Sequence, residues 1–253
     1  MVDQLRPRAD TRGKRVAVLQ SNYIPWKGYF DIISKVDTFV FYDDVQYTKN
    51  DWRNRNRIKT VHGPQWLTIP VGVRLDRKIS EVVISDSRWQ RKHWSTLKQT
   101  YAKSRCIAEC ESLLDLIYVE RQWERLSELN QFVIQMVCRD WMRLSTEFRS
   151  SEEFQLSKER NSRLLELLIA VGATTYVSGP SAKSYLDESE LLRHGIDVEY
   201  MDYSHYPEYI QPFPPFEHNV SILDMLFCLG HRASGYLNAI LPSNTEGSTE
   251  NDA

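Results

Sequence analysis

The chain has 253 residues, 42% of them hydrophobic and 26% charged, an ordinary composition for a globular protein with one sizeable core. Its formal net charge of −2 excludes the strongly basic balance of a bulk nucleic-acid binder and leaves room only for a local basic patch. No apolar run is long enough to cross a bilayer, and the opening MVDQLRPRADTRGKR has no apolar core of the secretory kind.

Residues 1–14 read as a basic, disordered leader and 243–253 as a disordered tail, with a single α/β domain over 15–242 between them. Val16–Leu19 is a short apolar run that ends in the polar turn Gln20-Ser21-Asn22. A rigid segment from Tyr23 through Pro25, Trp26, Gly28 and Tyr29 leads into a helical pattern over Gly28–Lys35. A second apolar run, Thr38–Tyr42, ends in Asp43-Asp44. Strand, helix and strand in this order are the unit of a parallel sheet. Arg57–Lys59 and Trp66–Val71 flank the turn signal Val61-His62-Gly63-Pro64, and Ile79–Ile84 reads as another short strand.

From about residue 86 to 170 the pattern is helical. Trp89, His93 or Trp94, Leu97 and Tyr101 recur at helical spacing, and a long period near 3.6 runs through the region around Cys110 to Met142. Ser157–Val171 is an amphipathic helix stopped by Gly172, with Glu159, Arg160 and Arg163 expected on its solvated side. A third strand, Thr174–Ser178, ends in Gly179-Pro180-Ser181, followed by a helical stretch over Ala182–Leu192. Ile196–Met201 alternates as a strand, a loop rich in proline and aromatics follows, and Asn219 is expected to cap a last helix. The class expected is α/β: an open, mainly parallel Rossmann-like sheet of the nucleotide-binding type with a helical insertion.

Open parallel sheets bind ligands outside the carboxyl ends of their strands. Gln20, Ser21 and Asn22, then Asp43, Asp44 and Gln46, then Ser178, Gly179 and Ser181 share one rim if their strands are neighbours. Asp43 and Asp44 have three uses there: holding Mg²⁺, acting as a general base, or pairing with Arg53, Arg55 or Lys59. In an extended Trp52–Arg57, Arg53, Arg55 and Arg57 share one face and Asn54 and Asn56 the other. Arginine forks suit diphosphate oxygens, and asparagine amides suit sugar hydroxyls or a base edge. Lys49 is a further cation on this stretch, Trp26 and Tyr29 offer faces for a sugar, and Gly28 would permit close approach of a ligand. His93, flanked by Trp89 and Trp94, is a candidate proton shuttle, and His205 and His218 flank the aromatic loop.

Several chemistries find no motif. The glycine signatures of phosphate-binding loops are absent, as are the histidine pairs of zinc enzymes and the serine elbow of hydrolases. The strand–loop–helix layout is similar to that of nucleotidylyltransferases and class I aminoacyl-tRNA synthetases, without their two-histidine motif. Cys106, Cys110, Cys138 and Cys228 form no CxxC pair and read as buried, reduced thiols of a cytoplasmic protein, so no metal site is expected.

The segments LQSNYIPWKGYFDII, YDDVQYTKNDWRNRNRIKT, WLTIPV, SGPSAKSYLD and NVSILDMLF, with the Trp89–Trp94 element, resemble the WbqC-like family over roughly residues 16 to 237. Ser21 departs from the proline that the family commonly has after the glutamine. The resemblance implies a bacterial protein tied to surface-polysaccharide or natural-product gene clusters. It further implies transfer of an acyl or aminoacyl group, such as glycyl, to an amino sugar or another amino-containing metabolite, forming an amide. A nucleotide-sugar would be the small-molecule partner. No cofactor is firmly implied, and ATP with Mg²⁺, or a charged tRNA, would serve as donor. The alternatives are a Mg²⁺-dependent nucleotidylyl or adenylyl transferase and a non-catalytic sugar-nucleotide binding protein.

In this setting Asp43, Asp44, Lys49 and His93 are the catalytic candidates. Gln20, Asn22, Tyr23, Trp26, Tyr29, Gln46, Trp52, Arg53, Asn54, Arg55, Asn56, Ser178, Gly179 and Ser181 are the binding candidates.

Overall fold

The structure is a computed structural model that describes residues 13–157 and 160–237, without the side chains of Arg160 and Asn161. The expected tail and nearly all of the expected leader lie outside the described residues. Strand β1 (Arg15–Leu19) is buried along Val16, Ala17 and Val18. It is followed by α1 (Lys27–Ser34) and by β2 (Thr38–Phe41), every residue of which is buried. Runs with no polar face are what a sheet covered on both sides requires. The five strands β1, β2, β5 (Glu147–Ser150), β6 (Thr175–Ser178) and β7 (Asp197–Tyr200) form one parallel sheet in the order β5-β2-β1-β6-β7. The Rossmann-like α/β class expected from the sequence is therefore the observed one.

The alternation of the strands sorts side chains to two cores. Val16, Val18 and Val40 pack with Leu167 and Leu168 of α5 (Arg160–Val171) and Leu191 of α6 (Glu188–Arg193). Ala17, Phe39, Phe41 and Val177 face the larger core, which holds α1, the helical insertion and α7 (Ile222–Leu229). Asn219 is not the cap of α7, because Ser221 Oγ accepts the Leu223 N–H at 3.2 Å. Gly172 ends α5 at φ +77°, as its position suggested. Ala182–Leu192 is a 3₁₀ turn at Pro180–Ser184 and then α6, capped by Asp187, whose carboxylate accepts the Glu190 N–H at 3.0 Å.

The insertion between β2 and β5 differs most from its sequence pattern. Strands β3 (Arg55–Thr60) and β4 (Gly63–Thr68) form a separate antiparallel ribbon with Arg57 opposite Trp66. Gly63 takes φ +93° after the tight turn, a conformation only glycine adopts without strain. Ile79–Ile84 is not a strand. Ile79 N–H and Ser80 N–H are taken by Val45 O and Asp43 O at 2.9 Å, so the segment closes as a 3₁₀ turn under the loop after β2.

Helix α2 (Arg88–Thr100) stands as expected, but the long helical period beyond it is broken. Helix α3 (Glu111–Asp115) and α4 (Leu126–Met136) each run on into a π-helical turn, with an extended Arg121 between them. The buried Gln90 donates to Ile117 O at 3.1 Å and Arg121 O at 2.7 Å, capping carbonyls that the break exposes. Strand β5 lies inside the stretch read as helical. Its EFRS sequence is a charged edge strand with no apolar run to reveal it.

Candidate functional site at the strand ends

In the order β5-β2-β1-β6-β7 the chain runs outward from β1 to one side, then returns to build the other side from β6. The reversal lies between β1 and β6, and ligand crevices of open α/β sheets form at that point. The ends of β2, β1 and β6 are neighbours, so Asp43-Asp44, Gln20-Ser21-Asn22 and Ser178–Ser181 do share one rim.

Arg53 occupies the rim beside β1. Its guanidinium donates to Gln20 Oε1 and Asn22 Oδ1 and lies 3.6 Å from Asp51. Its Nε is buried and has no partner among the described residues. The segment is held from below by Asn130, whose amide donates to Arg53 O at 2.9 Å. Tyr29 OH donates to Gln20 O at 3.0 Å and fixes the other side of the turn.

Asp43 is 0% exposed, and its carboxylate is held by uncharged donors, with Arg53 acting on it only through its charge. Its Oδ1 accepts Ser21 N–H at 2.8 Å and its Oδ2 accepts Gln131 Nε2 at 2.8 Å. Burial raises its pKa above the usual carboxylate value, while the Gln131 and Ser21 hydrogen bonds pull it back. Asp44 is paired with neither Arg53, Arg55 nor Lys59. It pairs with Arg163 of α5, and Ser151 Oγ donates to it at 2.5 Å. Arg163 is therefore not on a solvated helix face.

Other candidates are engaged in the fold. His93 is buried against Tyr23, Trp89 and Tyr118, with Nδ1 2.9 Å from Tyr23 OH. Burial lowers its pKa to about 4, so it is a neutral core histidine. Tyr23 is wholly buried and its hydroxyl also meets Tyr118 OH at 2.7 Å. Asn54 donates to Ile69 O at 2.8 Å and accepts from Tyr47 OH at 3.1 Å. Asn56 donates to Tyr23 O at 3.0 Å and Ile24 O at 2.9 Å, while its Oδ1 takes Arg57 N–H. Both side chains are buried and their amides are engaged inside the protein, so neither faces a sugar at the surface. The space over Gly28 is filled by the Trp26 indole, since a Cβ there would lie 2.3 Å from Trp26 Cζ2. Trp26 itself packs edge-on against Tyr203 and Tyr206.

Ser178 is buried, its hydroxyl donating to Tyr176 OH at 3.3 Å, whereas Ser181 is exposed and Gly179 half-buried. Gln46 and Lys49 are exposed on the loop after β2. Among the described residues no cluster of three or more His, Cys, Asp or Glu side chains could hold a metal ion. All four cysteines are free and buried. No helix among the described residues is long and apolar enough to cross a membrane.

Three groups near the rim had no signal in the residue pattern. Asn130 and Gln131 are amides on a helix otherwise read for its apolar face. Lys27, at the start of α1, is 3% exposed and hydrogen-bonded to His218 Nδ1 at 3.0 Å. Burial lowers its pKa to about 8, and the Asp224 and Glu208 carboxylates offset this only in part.

A model of the WbqC-like protein family matches residues 20–236. The chain is 46% identical over 226 residues to an uncharacterized protein of Mycobacterium tuberculosis, covering 88% of this chain and 97% of that protein. No solved structure matches the chain.

Proposed function

The chain belongs to the WbqC-like protein family, and on that premise we propose that it transfers an acyl or aminoacyl group, such as glycyl, to an amine. The acceptor is an amino sugar or similar metabolite in polysaccharide or natural-product biosynthesis, carried as a nucleotide-sugar. The observation that carries the reading is Arg53, fixed at the switch point between Gln20 and Asn22 with a buried, unpartnered Nε. A guanidinium held in this way is a ready partner for a phosphate oxygen of the acceptor.

In the reaction the acceptor amine attacks the acyl carbonyl, a C–N bond forms, and the bond from carbonyl carbon to the donor oxygen breaks. The amine must lose a proton. Asp43 is the better placed carboxylate, because Asp44 is committed to Arg163. Gln131 must yield Oδ2 for Asp43 to take that proton, and the raised pKa of the buried carboxyl makes it a stronger base than a surface aspartate. Lys49, or backbone N–H groups at Gly179 and Ser181, would stabilise the tetrahedral oxyanion. The donor is an aminoacyl-tRNA or an adenylate made from ATP.

One observation favours a second reading, non-catalytic binding of a nucleotide-sugar: Asp43 is 0% exposed in this conformation. Nucleotidylyl transfer with Mg²⁺ at Asp43 and Asp44 requires both carboxylates to leave their present partners. Incubation with nucleotide-linked amino sugars and either glycyl-tRNA or ATP plus glycine distinguishes these readings by mass spectrometry. Transfer predicts an acceptor heavier by one acyl group and abolition of that product in Asp43→Asn. Absence of product with both donors, while the nucleotide-sugar still binds, would leave the binding reading.

A further inference from the structure

The charge of this chain is segregated. Residues 49–78 hold eight lysines and arginines against two aspartates, a surplus of six in a chain of net charge −2. This segment is also the part that leaves the central sheet, as the β3–β4 ribbon and its flanks. The inner side of the ribbon is anchored by Asn54, Asn56, Ile58 and Leu67, all buried. Its outer side carries aromatic rings and guanidinium groups together. Trp52 is 40% exposed and Trp66 41%, with ring centroids 5.3 Å apart. The Arg55 guanidinium lies 4.3 Å from the Trp66 centroid, and that of Arg57 lies 5.7 Å from Trp66 and 5.9 Å from Trp52. The Nε atoms of both arginines are buried and have no partner among the described residues.

We propose that the outer face of the β3–β4 ribbon binds single-stranded RNA, stacking unpaired bases on Trp52 and Trp66 and holding the backbone with Arg55 and Arg57. Half-exposed indoles on a surface stack on unpaired bases, whose π-faces are available, and not on the closed stack of a duplex. The guanidinium groups follow the phosphates, and their attachment to a rigid ribbon removes most of the ordering cost of binding. Trp52 connects the ribbon to the rim directly, since its carbonyl accepts Tyr23 N–H at 3.0 Å and the next residue is Arg53. A strand lying on this face therefore leads toward the strand ends. The choice of RNA over single-stranded DNA rests on the transferase reading, in which a charged tRNA brings the acyl group on its unpaired 3′ end.

The test is fluorescence anisotropy of the full chain with a labelled single-stranded oligoribonucleotide ending in CCA, from 50 to 200 mM salt. Contact of Arg55 and Arg57 with about two phosphates predicts that affinity falls roughly sevenfold over that range. Arg55→Gln and Arg57→Gln should each flatten the salt dependence, and Trp66→Ala should weaken binding by about fivefold or more without altering it. Thermal melts of each variant separate loss of binding from loss of fold. No binding at 50 mM salt, equal binding of duplex RNA, or an unchanged salt dependence in both arginine variants would overturn the proposal. The two readings fail separately. Product from ATP plus glycine without RNA binding removes only the ribbon inference. RNA binding without product from any donor removes only the transfer reaction.

Discussion

At the residue scale, similar side chains in one stretch have opposite fates, and the partners the fold supplies decide between them. Asp43 and Asp44 are adjacent, yet one is held by uncharged donors and the other by an arginine from α5. Arg163 is far away in sequence, so no reading of the local pattern could supply it. His93 shows the same limit: its helical position is legible, but its neutral state comes from burial among rings such as Tyr23 and Tyr118, which only the fold brings near. The consequence is a pH dependence. The folded pKa is lowered to about 4 from an ordinary value of 6.5, so the unfolded chain binds the extra proton first. Stability from His93 is fully present above roughly pH 6.5 and is lost as pH falls toward 4. His93→Gln should flatten the stability curve between those values in urea titrations; an unchanged slope would show that His93 is not the titrating group.

At the element scale, the β3–β4 ribbon shows what alternation conveys and what it hides. The period of two in Arg53–Arg57 correctly separates arginines from asparagines. It does not say which face meets the protein, and the asparagines turn out to be inside. Asn56 is the sharper case, because its amide fixes the Tyr23-Ile24 turn, where Ile24 is held at φ +37°. That turn sets the position of Asn22 and hence of Arg53. Asn56→Leu removes the donor to two buried carbonyls and should destabilise the fold by about 2–4 kcal/mol. Denaturant unfolding measures this, and a loss below about 1 kcal/mol would mean that the turn holds itself. Strand β5 and the break between α3 and α4 were illegible for a related reason. A short charged edge strand has no apolar signature, and the break is stabilised by Gln90 from another helix.

At the scale of the whole molecule, the sequence carried the strand–helix–strand units and their polar ends but not their neighbours. The order β5-β2-β1-β6-β7 is what brings Ser178–Ser181 beside Gln20–Asn22 and makes the rim a single place. It is also what leaves the basic ribbon outside the sheet, next to that rim. In the proposed function Arg53 is the anchor for an acceptor at the switch point. Isothermal titration of the protein with a nucleotide-linked amino sugar tests this directly, using Arg53→Gln as the comparison and thermal melts to establish that both chains are folded. Loss of a charged hydrogen bond to phosphate predicts that Arg53→Gln binds roughly ten- to a hundredfold more weakly. Equal affinity in the two proteins would contradict the placement of the site at the strand ends.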